Sequence, residues 1–428
     1  MYKYALRRLA VILSLTMLIF AQSCGGDDDD NIPSQPQTQH TLLYYFVGTD
    51  LSYYFNKNIE AAGKALATLS EAGGSLADVV NKPRVMCFIQ RSKTNADIVE
   101  LVYDNGLYEQ KVIKSYELPK AMSSQQMGSY LKEMIALAPA ASYGLVMGGH
   151  SRAWTLIDSP DFYSIIAGKG IGRPQIRRYW ERDPEALVTR FFGEGYPFFK
   201  KAYSEGDSNY FDITDIASAL SSTGIKFEYA IYDACFMANI ESLYDLRNNS
   251  KYAIASVSEI MGNGFPYDRV IPHLLKTNGT SFDLEQVCYE YNDYYRINAG
   301  YSGSVTLVDC AELEALAAAT KRVNNGIKNE VDNDDLQYYD GLRPHLFFDF
   351  GQYMNALSAD DALRTSLQQQ LDKTVTCKYT LNAFYTGLKP YKGTHKIDTE
   401  VYSGLTTSQP SEMYRKEYAT TAWYKATH

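Results

Sequence analysis

From Thr41 onward the chain alternates between short, nearly continuous apolar runs and longer segments with apolar residues at helical spacing. That alternation limits the fold more than any single motif does. An apolar run without polar interruption reads as a strand covered on both faces, the pattern of a parallel sheet flanked by helices. "TLLYYFVGTD" is such a strand and ends at a Gly-Thr-Asp turn. "NKNIEAAGKALATLSEAG" is helical, and "PRVMCFIQRS" and "ADIVELVYD" are strands. "SSQQMGSYLKEMIALAP" opens on serine caps and closes before proline, as a helix does. "SYGLVMGGHSRAW" is a strand running into a Gly-Gly corner, and "FDITDIASALSSTG" is a helix with a glycine stop. "IKFEYAIYDAC", "FMANIESLYDLRNN" and "KYAIASVSE" complete a strand, helix, strand series. The expected fold class is therefore α/β with a mainly parallel sheet.

Residues 155–211 break the rhythm with a long, irregular segment that is basic in its middle, and they read as an insertion between two core strands. Residues 40–275 form the expected core. Residues 276–428 form a C-terminal α/β extension packed on it, with "YSGSVTLVDCAELEALAAATKRVNN" as strand and helix and "EVYSGLTTSQP" as a late strand. The start of the chain is of another kind. "MYKYALRRLAVILSLTMLIFAQSC" places Lys3, Arg7 and Arg8 before an apolar run that ends at Ser23-Cys24, the layout of a signal peptide (1–24). A cysteine at that point resembles a bacterial lipobox, which implies lipidation of Cys24, and "CGGDDDD" resembles the acidic export tag of Bacteroidetes surface lipoproteins. Residues 25–39 read as a flexible tether. The implied location is the bacterial outer membrane, with a lipid anchor.

A net charge of -9 gives no support for nucleic-acid binding. The thiols other than Cys24 are Cys87, Cys235, Cys288, Cys310 and Cys377, scattered and without a C-x-x-C pair, which argues against a disulfide framework or a zinc site. An exported chain with an unpaired cysteine raises the question of reactivity. Open α/β sheets place their sites at the C-terminal ends of strands. Two such ends carry chemistry: "GLVMGGHSRAW" delivers His150 and "YAIYDAC" delivers Cys235. A thiol at a strand-to-helix corner faces the positive end of the helix, which favours thiolate, and a histidine on the neighbouring strand end is placed to exchange its proton.

These residues resemble the clostripain-like cysteine peptidases, a family with a caspase-like fold. "YDACFMANIE" is similar to the family's cysteine stretch, "GGHSRAW" to its histidine stretch, and "SVSEIMGNGFPYD", "LLYYFVGTDLS" and "YSGLTT" to flanking segments. The resemblance implies a three-layer α/β/α core. It also implies Cys235 as nucleophile, His150 as general acid/base, and Asp233 at the base of a pocket for arginine or lysine. Backbone N–H groups of Cys235 and of Gly149 or Ser151 would form the oxyanion hole. It implies a polypeptide substrate, no cofactor, and a monomer; calcium serves some relatives, but no ligand loop is legible. Self-processing within the insertion has eight basic candidates: Lys169, Arg173, Arg177, Arg178, Arg182, Arg190, Lys200 and Lys201. Ser151, Arg152 and Ala153 stand where the family carries glycines and a variable residue, and Arg152 is a candidate gate over Asp233.

Two rivals remain open at this stage. "GHSRA" approaches the nucleophile elbow of serine hydrolases, with Ser151 as nucleophile and His273, His345 or His395 as base, although no helix pattern follows the serine. The 36 tyrosines would suit a degenerate peptidase scaffold that binds glycan or protein at its surface.

Overall fold

The computed structural model describes residues 38–71, 82–104, 106–119, 122–155, 163–166, 175–178, 180–190, 211–275, 282–299 and 301–428. The leader, Cys24 and most of the tether lie outside the described residues. Thr38 is already packed, bridging Ala140.

The apolar runs are the strands they promised to be. β1 (Thr41–Phe46), β2 (Arg84–Gln90), β3 (Asn95–Asp104), β4 (Leu107–Glu117) and β5 (Tyr143–Gly148) precede the insertion, which carries the hairpin β6 (Tyr163–Ile166) and β7 (Gln175–Arg178). After it come β8 (Phe227–Asp233), β9 (Ser250–Ala255), β10 (Val305–Asp309), the two-residue β11 (Phe348–Asp349) and β12 (Val375–Tyr379). Nine of them form one sheet in the order β12-β10-β9-β8-β5-β1-β2-β3-β4. The five central strands, β9-β8-β5-β1-β2, are parallel; β3 and β4 at one edge and β10 and β12 at the other are antiparallel. β1 is buried along its whole length, as a strand sandwiched between helix layers must be. β4 is exposed almost throughout and carries Glu109, Lys111 and Lys114, which blunt an edge open to pairing.

Crossover handedness sets the layers. The β1–β2 connection through the helix Ser52–Glu71 moves one way along the sheet, whereas β2 to β5, β5 to β8 and β8 to β9 move the other way. Right-handed crossovers therefore put Ser52–Glu71 on one face and the helices Ser124–Leu137, Ile213–Ser222 and Ile240–Leu246 on the opposite face. Packing agrees: Ser52–Glu71 lies against the helix Tyr267–Leu274, and Ser124–Leu137 lies against Ile213–Ser222. The core is the expected three-layer α/β/α sandwich, and β10 and β12 extend its sheet from the C-terminal part of the chain. The reversal in strand order falls at β1 and β5, so the cleft beyond their carboxyl ends is the natural site.

Candidate active site

Register brings the two predicted strand ends together. β5 and β8 are parallel neighbours with Gly148 opposite Asp233. His150 and Cys235 each lie two residues further on, at the same height above the sheet. β1 runs on the other side of β5 with Phe46 opposite Gly148, and its continuation delivers Asp50. Asp50 Oδ2 is 2.8 Å from His150 Nε2. Burial pushes the Asp50 carboxyl up, but the histidine's charge and hydrogen bond outweigh it and hold the group below the ordinary aspartate value. Asp50 was not singled out in the sequence. Its signal was present in the Gly-Thr-Asp turn that follows the buried strand β1.

Cys235 sits at a sharper corner than the sequence suggested. The segment after it is a turn, and the helix begins at Ile240, capped by the Asn239 side chain accepting from Ser242 N–H. Phe236 holds a left-handed φ of 61°, uncommon for a bulky residue and characteristic of constrained functional corners. The helix dipole fades within its first turn, so a helix starting at Ile240 does little for the thiol. The sulfur is fully buried and accepts from Ile260 N–H at 3.2 Å. Burial first, and the Glu259 charge second, push the thiol well above its ordinary value. The expectation of a helix-activated thiolate is therefore corrected: this form of the protein keeps Cys235 protonated.

Asp233 is fully buried and already occupied. The Arg190 guanidinium lies 2.6 Å from Asp233 Oδ2, with both side chains fully buried. Arg190 also donates to the Asp233 carbonyl at 3.2 Å, to Asn58 Oδ1 at 2.6 Å and to the Gly262 carbonyl at 3.3 Å. The Tyr267 hydroxyl donates to the same carboxylate oxygen at 2.6 Å. Burial pushes the Asp233 carboxyl up, and Arg190 and Tyr267 pull it back. Gly264, at φ +64°, makes the room: a Cβ there would run into the guanidinium and lie 2.7 Å from Asp233 Oδ2. Arg152 is not the gate. It stacks 5.9 Å from the Trp180 ring, while Arg190, from the insertion, fills the pocket.

Arg190 enters the cleft as extended chain. Its N–H donates to the Ile260 carbonyl at 2.7 Å, Gly262 N–H donates to the Val188 carbonyl at 2.8 Å, and Thr189 bridges Met261 antiparallel. Its carbonyl oxygen accepts from Cys235 N–H at 3.4 Å, the amide predicted as an oxyanion donor. The other predicted donors flank the histidine. Gly149 passes the Val47 carbonyl, 3.1 Å from where a Cβ would sit. Ser151 directs its hydroxyl to Met237 Sδ at 3.0 Å and accepts from Ala153 N–H, so it bridges the histidine and cysteine loops. His345, one of the bases considered for it, pairs instead with Asp340. Ala153 carries a φ of 54°, a region that favours glycine.

Among the described residues, no three His, Cys, Asp or Glu side chains gather as metal ligands, and only Tyr53 and Tyr289 of the tyrosines are strongly exposed. Tyr44, Tyr45, Tyr229, Tyr232, Tyr267, Tyr291 and Tyr295 are instead fully or almost fully buried, so the tyrosine content serves the core more than a stacking surface. Lys169, Arg173, Lys200 and Lys201 lie outside the described residues.

The sequence model of the clostripain family of C11 peptidases matches residues 176–417. A secreted C11 cysteine protease from Bacteroides thetaiotaomicron, iotapain, is 28% identical, aligned over 92% of this chain and 100% of its own, with a TM-score of 0.73. A secreted C11 cysteine protease from the same organism, solved with an irreversible peptide inhibitor, aligns over 91% of this chain and 98% of its own at 21% identity and a TM-score of 0.69. An inactive zymogen C11 protease from Parabacteroides distasonis aligns over 93% and 99% at 24% identity and a TM-score of 0.69. The last two are likenesses of fold. No curated protein matches the chain.

Proposed function

Because the chain belongs to the clostripain family, and so is a cysteine peptidase, we propose that it cleaves polypeptides after arginine through Cys235 and His150, with Asp233 selecting the side chain. One observation carries this reading. The chain's own Arg190 lies in the cleft as a substrate would, with its guanidinium on Asp233, its N–H on Ile260 and its carbonyl oxygen on Cys235 N–H. A carboxylate this deeply buried demands a cation, since removing one partner of a buried pair costs about 3–5 kcal/mol. Arginine suits it better than lysine. Its planar fork reaches Asp233 Oδ2, the Asp233 carbonyl and Asn58 together, which a single ammonium does not reproduce.

In the proposed reaction Cys235 Sγ attacks the carbonyl carbon of the arginine and its proton passes to His150. Asp50 pairs with Nε2, and in this reading Nδ1 exchanges that proton. The oxyanion develops at Cys235 N–H. Collapse expels the amine, which takes the proton from His150, and water then hydrolyses the thioester with His150 as base. The bond after Arg190, to Phe191, is the chain's own candidate for cleavage; Arg182 instead bonds to Thr189 and to the Leu187 carbonyl. Cutting there frees the cleft. Export by the leader and lipid attachment at Cys24 complete the reading, which leads to an anchored monomer at the outer membrane. Loss of labelled fatty acid from a Cys24→Ala protein checks the anchor.

The test is hydrolysis of chromogenic peptides ending in Arg, Lys or Leu, with Cys235→Ala as control. Arg peptides should be cleaved fastest and Leu peptides not at all. N-terminal sequencing of the incubated protein should find Phe191 as a new terminus, absent from Cys235→Ala. Equal rates on Arg and Leu, or activity surviving in Cys235→Ala, would end the proposal.

A further inference from the structure

One buried carboxylate beside the nucleophile is left over from this chemistry. Glu259 is fully buried and follows β9 in the segment that runs on to Ile260, the residue that touches both Cys235 and Arg190. Its two oxygens are used differently. Oε1 is committed to the protein's own C-terminal part, accepting from Thr386 Oγ1 at 2.5 Å and from Gly387 N–H at 3.0 Å. Oε2 faces the segment in the cleft and accepts from Thr189 Oγ1 at 2.6 Å. Thr189 immediately precedes Arg190. Its hydroxyl also accepts from Arg182 Nη1 at 2.9 Å, so it donates to one buried charge and accepts from another.

We propose that Glu259 determines the residue before the arginine, selecting a hydroxyl side chain, threonine or serine, at that position of the polypeptide substrate. This rests on the reading of Cys235 and Asp233 given above. Among small side chains only a hydroxyl both donates and accepts from a single atom. Valine has the shape of threonine but leaves Glu259 Oε2 buried without its donor, and a buried charged acceptor left unpaired is costly. Sites built to hydrogen-bond a hydroxyl discriminate strongly against the analogue lacking it. The same geometry makes Val188-Thr189-Arg190 a sequence-matched occupant of the cleft: each of its last two side chains meets a buried carboxylate. Thr189 and Arg190 are the internal copy of the preferred substrate.

The test uses the full-length protein and four chromogenic peptides that differ only before a terminal arginine: Thr, Ser, Val and Ala. Threonine and serine should exceed valine by about tenfold or more in kcat/KM. In Glu259→Gln the threonine-to-valine ratio should fall toward one, whatever the total rate. Glu259 also holds Thr386 and Gly387, so a second arm spares it. In the intact chain, Thr189→Val should slow the cut after Arg190 and Thr189→Ser should restore it. Arg peptides cleaved at equal rates whatever precedes the arginine, together with an unslowed Thr189→Val chain, would overturn the inference and leave arginine specificity standing. No cleavage of any Arg peptide and no cut after Arg190 would overturn the parent reading and this one together.

Discussion

Replacing Arg190 by glutamine in a Cys235→Ala background isolates what the guanidinium does for the uncut chain. Arg190 and Asp233 are both fully buried at 2.6 Å, so the substitution strands a carboxylate where water cannot solvate it. Breaking such a pair costs about 3–5 kcal/mol. A glutamine amide can still donate one hydrogen bond to Asn58 or Asp233, worth about 1 kcal/mol, so the expected loss at neutral pH is about 3 kcal/mol, roughly a hundredfold in the folded-to-unfolded ratio. The pH dependence separates pairing from packing. Burial already holds the folded Asp233 carboxyl above its ordinary value, and removing the cation lifts it further. In the unfolded chain the group titrates near about 3.9. Below that pH the carboxyl is neutral in both states and its charge costs nothing. As pH rises, the unfolded chain ionises first and the folded one is penalised, until the folded group also ionises. Urea unfolding of Cys235→Ala with and without Arg190→Gln should therefore give curves that converge toward acid and separate toward neutral pH. A deficit equal at pH 5 and pH 8, or none at all, would mean that Arg190 is merely packed in the cleft and would refute the pairing logic behind the proposed specificity.

Asp50→Asn should lower kcat/KM on Arg peptides by about a thousandfold, because the amide no longer fixes the His150 tautomer or stabilises its charged form; urea stability should hardly change, since the Asp50 side chain is only partly buried. Gly264→Ala should abolish cleavage after arginine and displace Arg190 from the uncut chain, read as new sensitivity to added trypsin at Arg190, because the Cβ occupies the guanidinium's place and the backbone there is left-handed. Burial pushes the Glu241 carboxyl up to about 7. It binds its proton more tightly folded than unfolded, so the protein should lose on the order of 3 kcal/mol of stability as pH rises from about 4.5 to about 7. Glu241→Gln should flatten that slope in a pH series of urea midpoints.

The parts of the fold legible in the sequence were those in which burial writes a pattern. β1, β2, β5, β8 and β9 are covered by helices, and their apolar runs announce them. β4 went unseen because its side chains face solvent along most of its length. β12 is half-exposed and follows a helix without a break, so "VTCKY" carries no strand pattern of its own. At the site, His150, Cys235 and Asp233 were visible through strand ends and the resemblance of their stretches. Arg190 was one of eight basic residues, and nothing local in "EALVTRFFGEG" marks it out. What distinguishes it is a long-range pairing with Ile260 and Gly262, and sequence spacing carries no record of such register. The altered residues after His150 were legible as a departure but not in their effect. Ser151 bonds to the cysteine loop, and Ala153 accepts a glycine-like backbone conformation, so neither fills the pocket.

The protonated thiol and the filled pocket are two faces of one arrangement. Arg190 occupies the pocket beside Cys235, and burial of the thiol is the first cause of its raised pKa. A thiol so placed is a poor nucleophile toward passing peptides. The only carbonyl aligned with the Cys235 amide among the described residues is that of Arg190 itself. Once the bond after Arg190 is cut, the new carboxyl end of the segment brings a negative charge to the cleft beside Asp233 and Glu259, both buried acids. Repulsion between that terminus and the two carboxylates favours its departure. Departure would strand Asp233 without its cation, and in the proposed reading an arriving arginine would relieve that cost. In the proposed reading the buried carboxylate that pairs with Arg190 in the uncut chain is the same group that would select arginine in the opened enzyme, so activation and specificity should be lost together when Asp233 is neutralised. Asp233→Asn should neither cut itself after Arg190 nor, once the insertion is opened by another protease, distinguish Arg from Leu peptides. A variant that processed normally yet lost specificity would separate the two roles and break this coupling.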